Sequence, residues 1–597
     1  MWDTAVEAAE LKEALPAAPP RLTPMPIHNQ DIAAIFEKVA DLLEIEGANP
    51  FRVRAYRNAA RVVSGMSQSL ADLAARGEDL TRLPGVGQDL TGKIREIITT
   101  GDLGLRRELE ARTPPALALL LNLGGLGPKR VQLLHQKLGI TSTADLKEAA
   151  QSGKIKELKG FGPKIEQMIL EGLGQLSAAE KRYKLVTVEP VAESLVRHLK
   201  AAPGVAEAIA AGSYRRRRET VGDLDLLVTC REAFRVMDAF VTYEDVRQVL
   251  ARGDTKSMVV LRNGLQVDLR VVPQESYGAA LHYITGSKAH NIAVRHLGVQ
   301  RGLKINEYGV FRGEALIAGQ TEAEVYASVD LPYIEPELRE DRGEIEAAQQ
   351  GRLPRLITLA DIQGDLHTHT KATDGRNTLE EMAQAARERG YQYLAITNHS
   401  KRVSMVHGYD ARNLAAEMDQ IDRLNAKLQD IVILKAIEMD ILEDGSLDLP
   451  DEILKGLDLT VCAVHYNFNL TREEMTERII RAMDNPYFNV LAHPSGRLIQ
   501  RREPYEVDME RLMRAAKERG CFMELDAQPD RLDLVDIHCK LAKDLGVKVA
   551  ISTDAHSIAD LNFMRLGIGQ ARRGWLEAAD VLNTRPWPQL QKLLRRI

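Results

Sequence analysis

Apolar positions recur along this chain with three different rhythms. Between Asp31 and Glu44 they fall at Ile32, Ile35, Phe36, Val39, Leu42 and Leu43, the spacing of a helix that buries one face. Asn49-Pro50-Phe51 through Arg57 reads as a turn into a basic helix, and a further helix is predicted over Asp89 to Thr99. Farther along, the period shortens. Asp223-Leu224-Asp225-Leu226-Leu227-Val228 heads an apolar run, and Gly264 to Val272 alternates between Asn263-Gly264 and Pro273; both predict strands. From Gln363 onward, short apolar runs end again and again in His, Asp or Glu. They close at His367 and His369, His399, Glu438, His465, His493, and Asp554 with His556, and helical stretches such as Leu379 to Arg389 and Asp508 to Arg519 lie between them. Polar residues at the carboxyl ends of successive strands in a β/α alternation share one face of a barrel.

Glycine turns punctuate the helical part. Leu83-Pro84-Gly85-Val86-Gly87 precedes a helix, and the shape returns at Gly124-Gly125-Leu126-Gly127-Pro128-Lys129 and at Gly160-Phe161-Gly162-Pro163-Lys164. Glycines let backbone N–H groups approach a phosphate, and the following helix offers its positive end. One such turn is an ordinary cap as often as not. Three close together, two followed by Pro-Lys, point to DNA held without reading its sequence. The candidate contacts are Gly85, Gly87, Gly125, Gly127, Lys129, Gly160, Gly162 and Lys164.

Composition changes this picture in a few respects. With 597 residues and 44% hydrophobic content, the chain can bury several cores and should hold three or four domains. Its net charge of −6 predicts no DNA binding by bulk charge, so any nucleic-acid surface must be local. Four scattered cysteines without a C-x-x-C pair argue against a disulfide framework or a cysteine zinc site and fit a reducing compartment. No apolar run approaches the roughly 20 residues of a membrane span. Met1-Trp2-Asp3-Thr4 lacks the features of a secretory signal, and residues 1–26, rich in Ala, Pro and Glu, read as a loose extension.

Candidate chemistry concentrates at residues 212–228. A Gly212-Ser213 turn is followed by four arginines, Arg215 to Arg218, and then by Asp223 and Asp225. Carboxylates two apart on a strand share a face, and their repulsion calls for a cation between them. The arginines suit a phosphate-rich ligand. A metal beside a polyphosphate implies phosphoryl or nucleotidyl transfer. By itself, D-x-D is more often a solvated strand. Asp268 on the second predicted strand joins the pair if the two strands are neighbours. In the C-terminal part, six of the chain's 14 histidines stand at the strand ends. One such histidine means little; six define a cluster. Histidine and carboxylate without thiolate suit Mn, Zn or Fe at a catalytic site.

Gly212-Ser213-Tyr214-Arg215-Arg216, Asp223-Leu224-Asp225, Asp268, and Tyr283-Ile284-Thr285-Gly286-Ser287 with Asn291 occur in that order, and here the sequence resembles the X-family DNA polymerases. The resemblance implies that Asp223, Asp225 and Asp268 are the catalytic carboxylates holding two Mg²⁺ or Mn²⁺ ions. It implies that Gly212, Ser213 and Arg216 meet the nucleotide triphosphate, and that Tyr283, Gly286, Ser287 and Asn291 line its sugar and base. Arg217 and Arg218 are expected to extend the run toward solvent or DNA. Ile284 departs from a Phe common in the family, and Lys288 from an acidic residue. Lys93 matches the Schiff-base lysine of a 5′-deoxyribose phosphate lyase, with Tyr56 in the same pocket, but Asp89 and Asn58 stand where the family has basic residues.

The histidine-rich part resembles the PHP domain, a distorted barrel with a trinuclear metal centre. All nine ligand positions of that family are filled: His367, His369, Asp374, His399, Glu438, His465, His493, Asp554 and His556. Asn398 replaces an Asp beside His399. Up to three divalent ions (Mn²⁺, Zn²⁺ or Fe²⁺) are implied, with a 3′–5′ exonuclease or AP endonuclease activity. Arg497 and Arg531 are candidate phosphate clamps.

The expected fold is multidomain. An all-α helix-hairpin-helix N-terminal region comprises residues 27–104 and a fingers-like 105–178. An α/β nucleotidyltransferase palm spans 179–272 and a thumb-like subdomain 273–334. A charged linker covers 335–358, and a distorted (β/α)7 PHP barrel covers 359–597. The expected partners are gapped or nicked duplex DNA with a primer 3′ end, and dNTPs. A monomer in the cytoplasm, at the nucleoid and away from membranes, is anticipated. Two other readings stay open: a barrel serving as scaffold only, and a front half that binds DNA on a dead nucleotidyltransferase fold.

Overall fold

A computed structural model describes residues 29–66, 70–114, 117, 120, 126–158, 160–162, 165–170 and 182–595. The extension predicted for residues 1–26, together with Gly125 and Lys164, lies outside the described residues. The chain divides into two compact units, one of residues 1–64 and 69–118, the other of residues 65–68 and 119–597. Among the described residues no helix is long and apolar enough to cross a membrane.

The first unit is helical. Helices Asn29–Ile45 and Pro50–Ser64 pair, and the Asn49 side chain accepts the Phe51 N–H at the start of the second. Ile32, Phe36, Val39 and Leu42 are fully buried, as their spacing requires. Helix Gln88–Thr100 starts from Gly87 with no side-chain cap, so its first N–H groups lack side-chain partners.

The second unit opens with helices Pro128–Leu138 and Thr143–Gln151. A five-stranded sheet follows, in the spatial order Val205–Ala210, Asp223–Cys230, Gln266–Val272, Lys256–Leu261, Val246–Arg252. The two predicted strands are neighbours in it. They run parallel with Asp225 opposite Asp268, while Leu224, Leu226, Val267 and Leu269 fill the core beneath.

Helices Tyr277–Thr285 and Lys288–Gln300 and a three-stranded sheet form the next layer. The segment 335–358, expected as a linker, is folded. Helix Glu344–Gln349 lies within it, and Arg339 and Glu344 are wholly buried. Arg339 donates to the Ile334 carbonyl and Glu322, and Glu344 meets His290 Nδ1 at 2.7 Å. Its low apolar content reflects a buried polar network rather than solvent exposure.

Seven parallel strands then follow in chain order: Gly364–Asp365, Tyr393–Ile396, Val432–Asp440, Leu459–Ala463, Val490–Leu491, Phe522–Asp526 and Val549–Ser552. The His369 N–H donates to the Ala555 carbonyl at 2.8 Å and nearly closes the barrel. Residues that begin the strands, Tyr393, Leu459, Val490 and Phe522, pack with Leu590 and Leu594 of the terminal helix Trp587–Leu594. That helix stoppers one end, and the histidines gather at the other.

Candidate metal centres and nucleotide site

The palm centre is built by register. Asp225 and Asp268 face each other across a parallel ladder, and Asp223 lies two residue pairs away on the same face. Burial, followed by the Asp223 and Asp268 charges, pushes the Asp225 carboxyl up to about 7. Burial and the Asp268 charge raise Asp223 as well. Gln266 Nε2 donates to Asp268 Oδ1 at 2.9 Å, and Lys256 Nζ lies 3.4 Å from Oδ2. Three carboxylates that repel one another make a set suited to divalent cations. Gly212 is required here. Its φ is +61°, and a Cβ would lie 2.1 Å from Asp225 Oδ2.

The arginine run is mostly engaged by protein. Arg215 forms a fork on Glu322 at 2.9 and 2.7 Å and also donates to Thr285 Oγ1. Arg216, the expected triphosphate ligand, donates Nε to Glu340 at 3.1 Å and Nη1 to the Thr285 carbonyl at 2.5 Å. Arg217 pairs with Glu189 at 2.7 Å and packs beside Gly569 of the barrel, and Arg218 reaches within 3.8 Å of Glu340. The expectation that Arg217 faces solvent or DNA is therefore corrected, because the buried Glu189 draws it inward, whereas the Arg218 side chain stays 39% exposed. Ser213 follows Gly212 in the same short turn. Across from it, Asn291 Nδ2 holds the Tyr283 carbonyl at 2.6 Å, and Ser287 caps helix Lys288–Gln300. A Cβ on Gly286 would come within 3.3 Å of Asn291 Nδ2. Tyr283, Gly286, Ser287 and Asn291 thus form one corner, tied through Thr285 to the arginines.

All nine expected barrel ligands converge. Three groups bring ligand atoms close enough to share an ion: His369, Asp374, His399 and His556; His367, His369 and Asp554; and His399, Glu438 and His465. Glu438 is central. Its carboxylate lies 2.8 Å from His399 Nδ1, 3.0 Å from His493 Nε2 and 3.3 Å from His465 Nε2. Burial alone would discharge the histidines. Glu438 and Asp374 nevertheless raise His399 to about 10, and Glu438 and Asp440 raise His465 to about 9. Asp374 is held far below the carboxylate range: burial opposes this, but His399 and His556 donate to it. Protons on the histidines thus do the neutralising that cations would do. His367 Nε2, both ring nitrogens of His369, His399 Nδ1 and Glu438 Oε2 are buried without a hydrogen bond. Buried polar atoms are rarely left so, and this cluster of orphans fits a resident metal group.

A supporting layer escaped the sequence reading. Glu524 is fully buried. Its Oε1 lies 2.7 Å from His367 Nδ1, and its Oε2 accepts the His493 N–H at 2.7 Å. Asp440 holds His465 Nδ1 at 3.0 Å. The signal was present, since Phe522-Met523-Glu524-Leu525-Asp526 is another apolar run ending in acids. Asn398 is not among the metal groups. Its Oδ1 accepts from Thr370 N and Thr373 Oγ1, fastening the loop that carries Asp374.

The two candidate clamps separate. Arg531 sits 3.3 Å from Asp526 and 3.8 Å from Asp554, at the cluster of candidate metal ligands. Arg497 forks onto Glu219 of the palm at 3.2 and 2.6 Å and donates to the Leu532 carbonyl. It joins palm to barrel, so the clamp expectation for Arg497 is corrected. In the helical unit, Lys93 pairs with Asp89 one turn away, and its amine lies 5.8 Å from the Tyr56 ring centre. Gly85 has φ +73° and Gly160 +95°. Gly127 starts the helix that carries Lys129, and Gly162 accepts from Ile165 N at 2.9 Å.

Family models match this chain in succession: a helix-hairpin-helix domain over residues 27–103, a SAM-like helix-hairpin-helix tandem over 117–175, the DNA polymerase beta palm over 186–282, the DNA polymerase beta thumb over 280–340, and a PHP domain over 365–528. The DNA polymerase/3′-5′ exonuclease PolX of Bacillus subtilis (strain 168) is 37% identical over 577 residues, 96% of this chain and 100% of the relative. A probable phosphatase of Thermoanaerobacter sp. (strain X514) is 30% identical over 232 residues, covering 37% of this chain and 89% of the relative. A probable phosphatase of Caldanaerobacter subterraneus subsp. tengcongensis is 32% identical over 224 residues, 36% of this chain and 81% of the relative.

Proposed function

The chain belongs to the X-family DNA polymerases that carry a PHP domain, and from this we propose that it fills short gaps in DNA during repair and trims 3′ ends with its barrel. The observation that carries the reading is the presence of two separate ligand constellations in one chain. One is the register that sets Asp225 against Asp268. The other is the convergence of three groups of metal-ligating side chains at the barrel's mouth.

In the palm, Asp223, Asp225 and Asp268 would hold Mg²⁺ or Mn²⁺, which would neutralise the phosphates and the attacking primer oxygen. Ser213 and Arg216 bind the triphosphate, and the Tyr283–Asn291 corner positions sugar and base. In the barrel, the nine ligands would hold up to three divalent ions, Mn²⁺, Zn²⁺ or Fe²⁺, which would supply a nucleophilic hydroxide at neutral pH and stabilise the leaving oxygen. Glu524 orients His367, and Arg531 meets the phosphate. The helix-hairpin-helix turns grip the duplex backbone. Lys93 is not given a nucleophile's role in this reading, because its amine is already paired with Asp89.

One labelled gapped substrate tests both halves. Asp223→Ala should lose primer extension with Mg²⁺ and keep 3′ digestion with Mn²⁺, and the His367→Ala/His369→Ala double variant should do the reverse. Each loss should be about 10³-fold or more, the scale of several kcal/mol of metal-supplied stabilisation. Digestion at an unchanged rate in the histidine variant would refute the nuclease half, and wild-type protein that never extends would refute the polymerase half.

A further inference from the structure

We propose that the barrel supplies a positioning residue to the polymerase site: Arg573 fixes Glu340, and together they set Arg216 for the triphosphate of the incoming nucleotide. The proposal rests on the reading of the palm as a dNTP site. Arg573 ends helix Met564–Arg573 of the barrel and is 5% exposed. Its Nη1 donates to Glu340 Oε1 and to the Arg216 carbonyl, both at 2.9 Å. Its Nη2 donates to Asp536 Oδ2 at 2.6 Å. The same Glu340 oxygen accepts Arg216 Nε at 3.1 Å. One barrel guanidinium therefore anchors Arg216 twice, directly through its backbone and through Glu340 at its side chain. The Thr285 carbonyl, 2.5 Å from Arg216 Nη1, supplies the third point. Three acceptors and donors from separate elements leave the Arg216 fork little rotational freedom, which lowers the entropy lost when a ligand binds it.

The charges agree with the geometry. Arg216, Arg218, Arg342 and Arg573 share Glu340 and Asp536. Burial would raise the Glu340 carboxyl, but Arg573 and Arg216 hold it down to about 2, so it stays ionised at any working pH. Four guanidinium groups on two carboxylates leave an excess of positive charge where a polyphosphate is to be received. Arg573 is also not what fastens barrel to palm. Arg497 forks onto Glu219, Arg565 pairs with Glu189, and Gln500 donates to the Arg182 carbonyl at 2.7 Å. Ile499, Leu532 and Leu566 of the barrel pack into the palm core. Loss of Arg573 should leave the two domains joined.

Single-nucleotide insertion into a gapped duplex tests this. Arg573→Gln should raise KM for the dNTP about tenfold with kcat nearly kept, the size seen when a supporting partner of a binding group is lost. Inhibition by pyrophosphate should weaken in parallel, while DNA affinity and Mn²⁺-dependent 3′ digestion stay at wild-type values. Arg573→Lys should recover part of the loss, since it keeps the charge without the fork. Glu340→Gln should reproduce the effect from the other side and serves if Arg573→Gln does not fold. If Arg216→Ala raises KM and neither supporting variant does, this proposal falls alone. If Arg216→Ala itself leaves KM unchanged, the reading of Arg216 as a triphosphate ligand falls, and this proposal with it. A parallel drop in both activities and in thermal stability would mean general support, and would also overturn it.

Discussion

The two metal centres solve the same electrostatic problem in opposite ways. The palm centre gathers three carboxylates with no histidine, and burial and mutual repulsion raise Asp225 to about 7. The barrel centre mixes carboxylates with histidines, and there the acids are lowered while His399, His465 and His556 rise to between about 9 and about 10. In the barrel, charged His399, His465 and His556 offset part of the carboxylate charge, while His369 and His493 are lowered by burial and several ring nitrogens stay unsatisfied. In the palm, Lys256 reaches only Asp268, and Asp223 and Asp225 stay raised, so a cation has most of the repulsion left to relieve. The barrel keeps its geometry through buried supports such as Glu524 and Asp440. The palm keeps its own through backbone register and the space left by Gly212.

This contrast is best attacked at the residue that most nearly defines the barrel centre. Glu438→Gln removes the charge facing His399, His465 and His493. In metal-free protein His399 and His465, both raised by Glu438, lose that counter-ion, so the barrel should be destabilised by about 3 kcal/mol, the usual result of breaking a buried pair. Thermal unfolding in chelator checks this; an unchanged transition would mean that the barrel is not pre-assembled by these pairs. A smaller effect is expected one layer out. Glu524→Gln keeps the shape but weakens the hold on His367 Nδ1 and the His493 N–H. Mn²⁺ affinity measured by titration calorimetry should fall by roughly 10- to 100-fold. A fall of less than twofold would show that Glu524 is only a packing residue.

The two centres also differed in how much of them could be read from the chain. Strand-end histidines announce a barrel because their side chains must share one face, and the nine ligands did converge. Asp223, Asp225 and Asp268 were legible for the same reason: alternation fixes which side chains share a face, and the register then set Asp225 against Asp268. What could not be read were partners distant in the sequence. Arg497 and Arg217 look like phosphate or DNA ligands until Glu219 and Glu189 are found beside them. A guanidinium carries no sequence mark that tells a phosphate from a distant carboxylate. The 335–358 segment misled in the same way, because Arg339 and Glu344 are polar and yet fully buried. Glu524 was missed for another cause: it touches His367 and the His493 N–H rather than standing among the resemblance's ligand positions.

The smallest effect offers the sharpest test of the contrast, because its sign is unusual for a residue proposed to be catalytic. Asp225→Asn should abolish extension yet stabilise the metal-free protein. The wild-type carboxyl has a folded pKa near 7 against 3.8 in the unfolded chain. The folded state therefore holds a proton that the unfolded state has lost across that window. Its contribution is fully present below the unfolded value, declines as pH rises from about 4 to about 7, and is lost above, where burial and repulsion act on an ionised group. The amide has the shape of the protonated acid and never ionises. At pH 4 the variant and wild type should therefore unfold close together. At pH 8 the variant should be the more stable, by about 1 kcal/mol. Mg²⁺ should narrow that gap by binding wild type alone. Differential scanning at the two pH values in chelator decides it: a variant less stable than wild type at pH 8 would mean that the palm carboxylates, like those of the barrel, are already neutralised by protein.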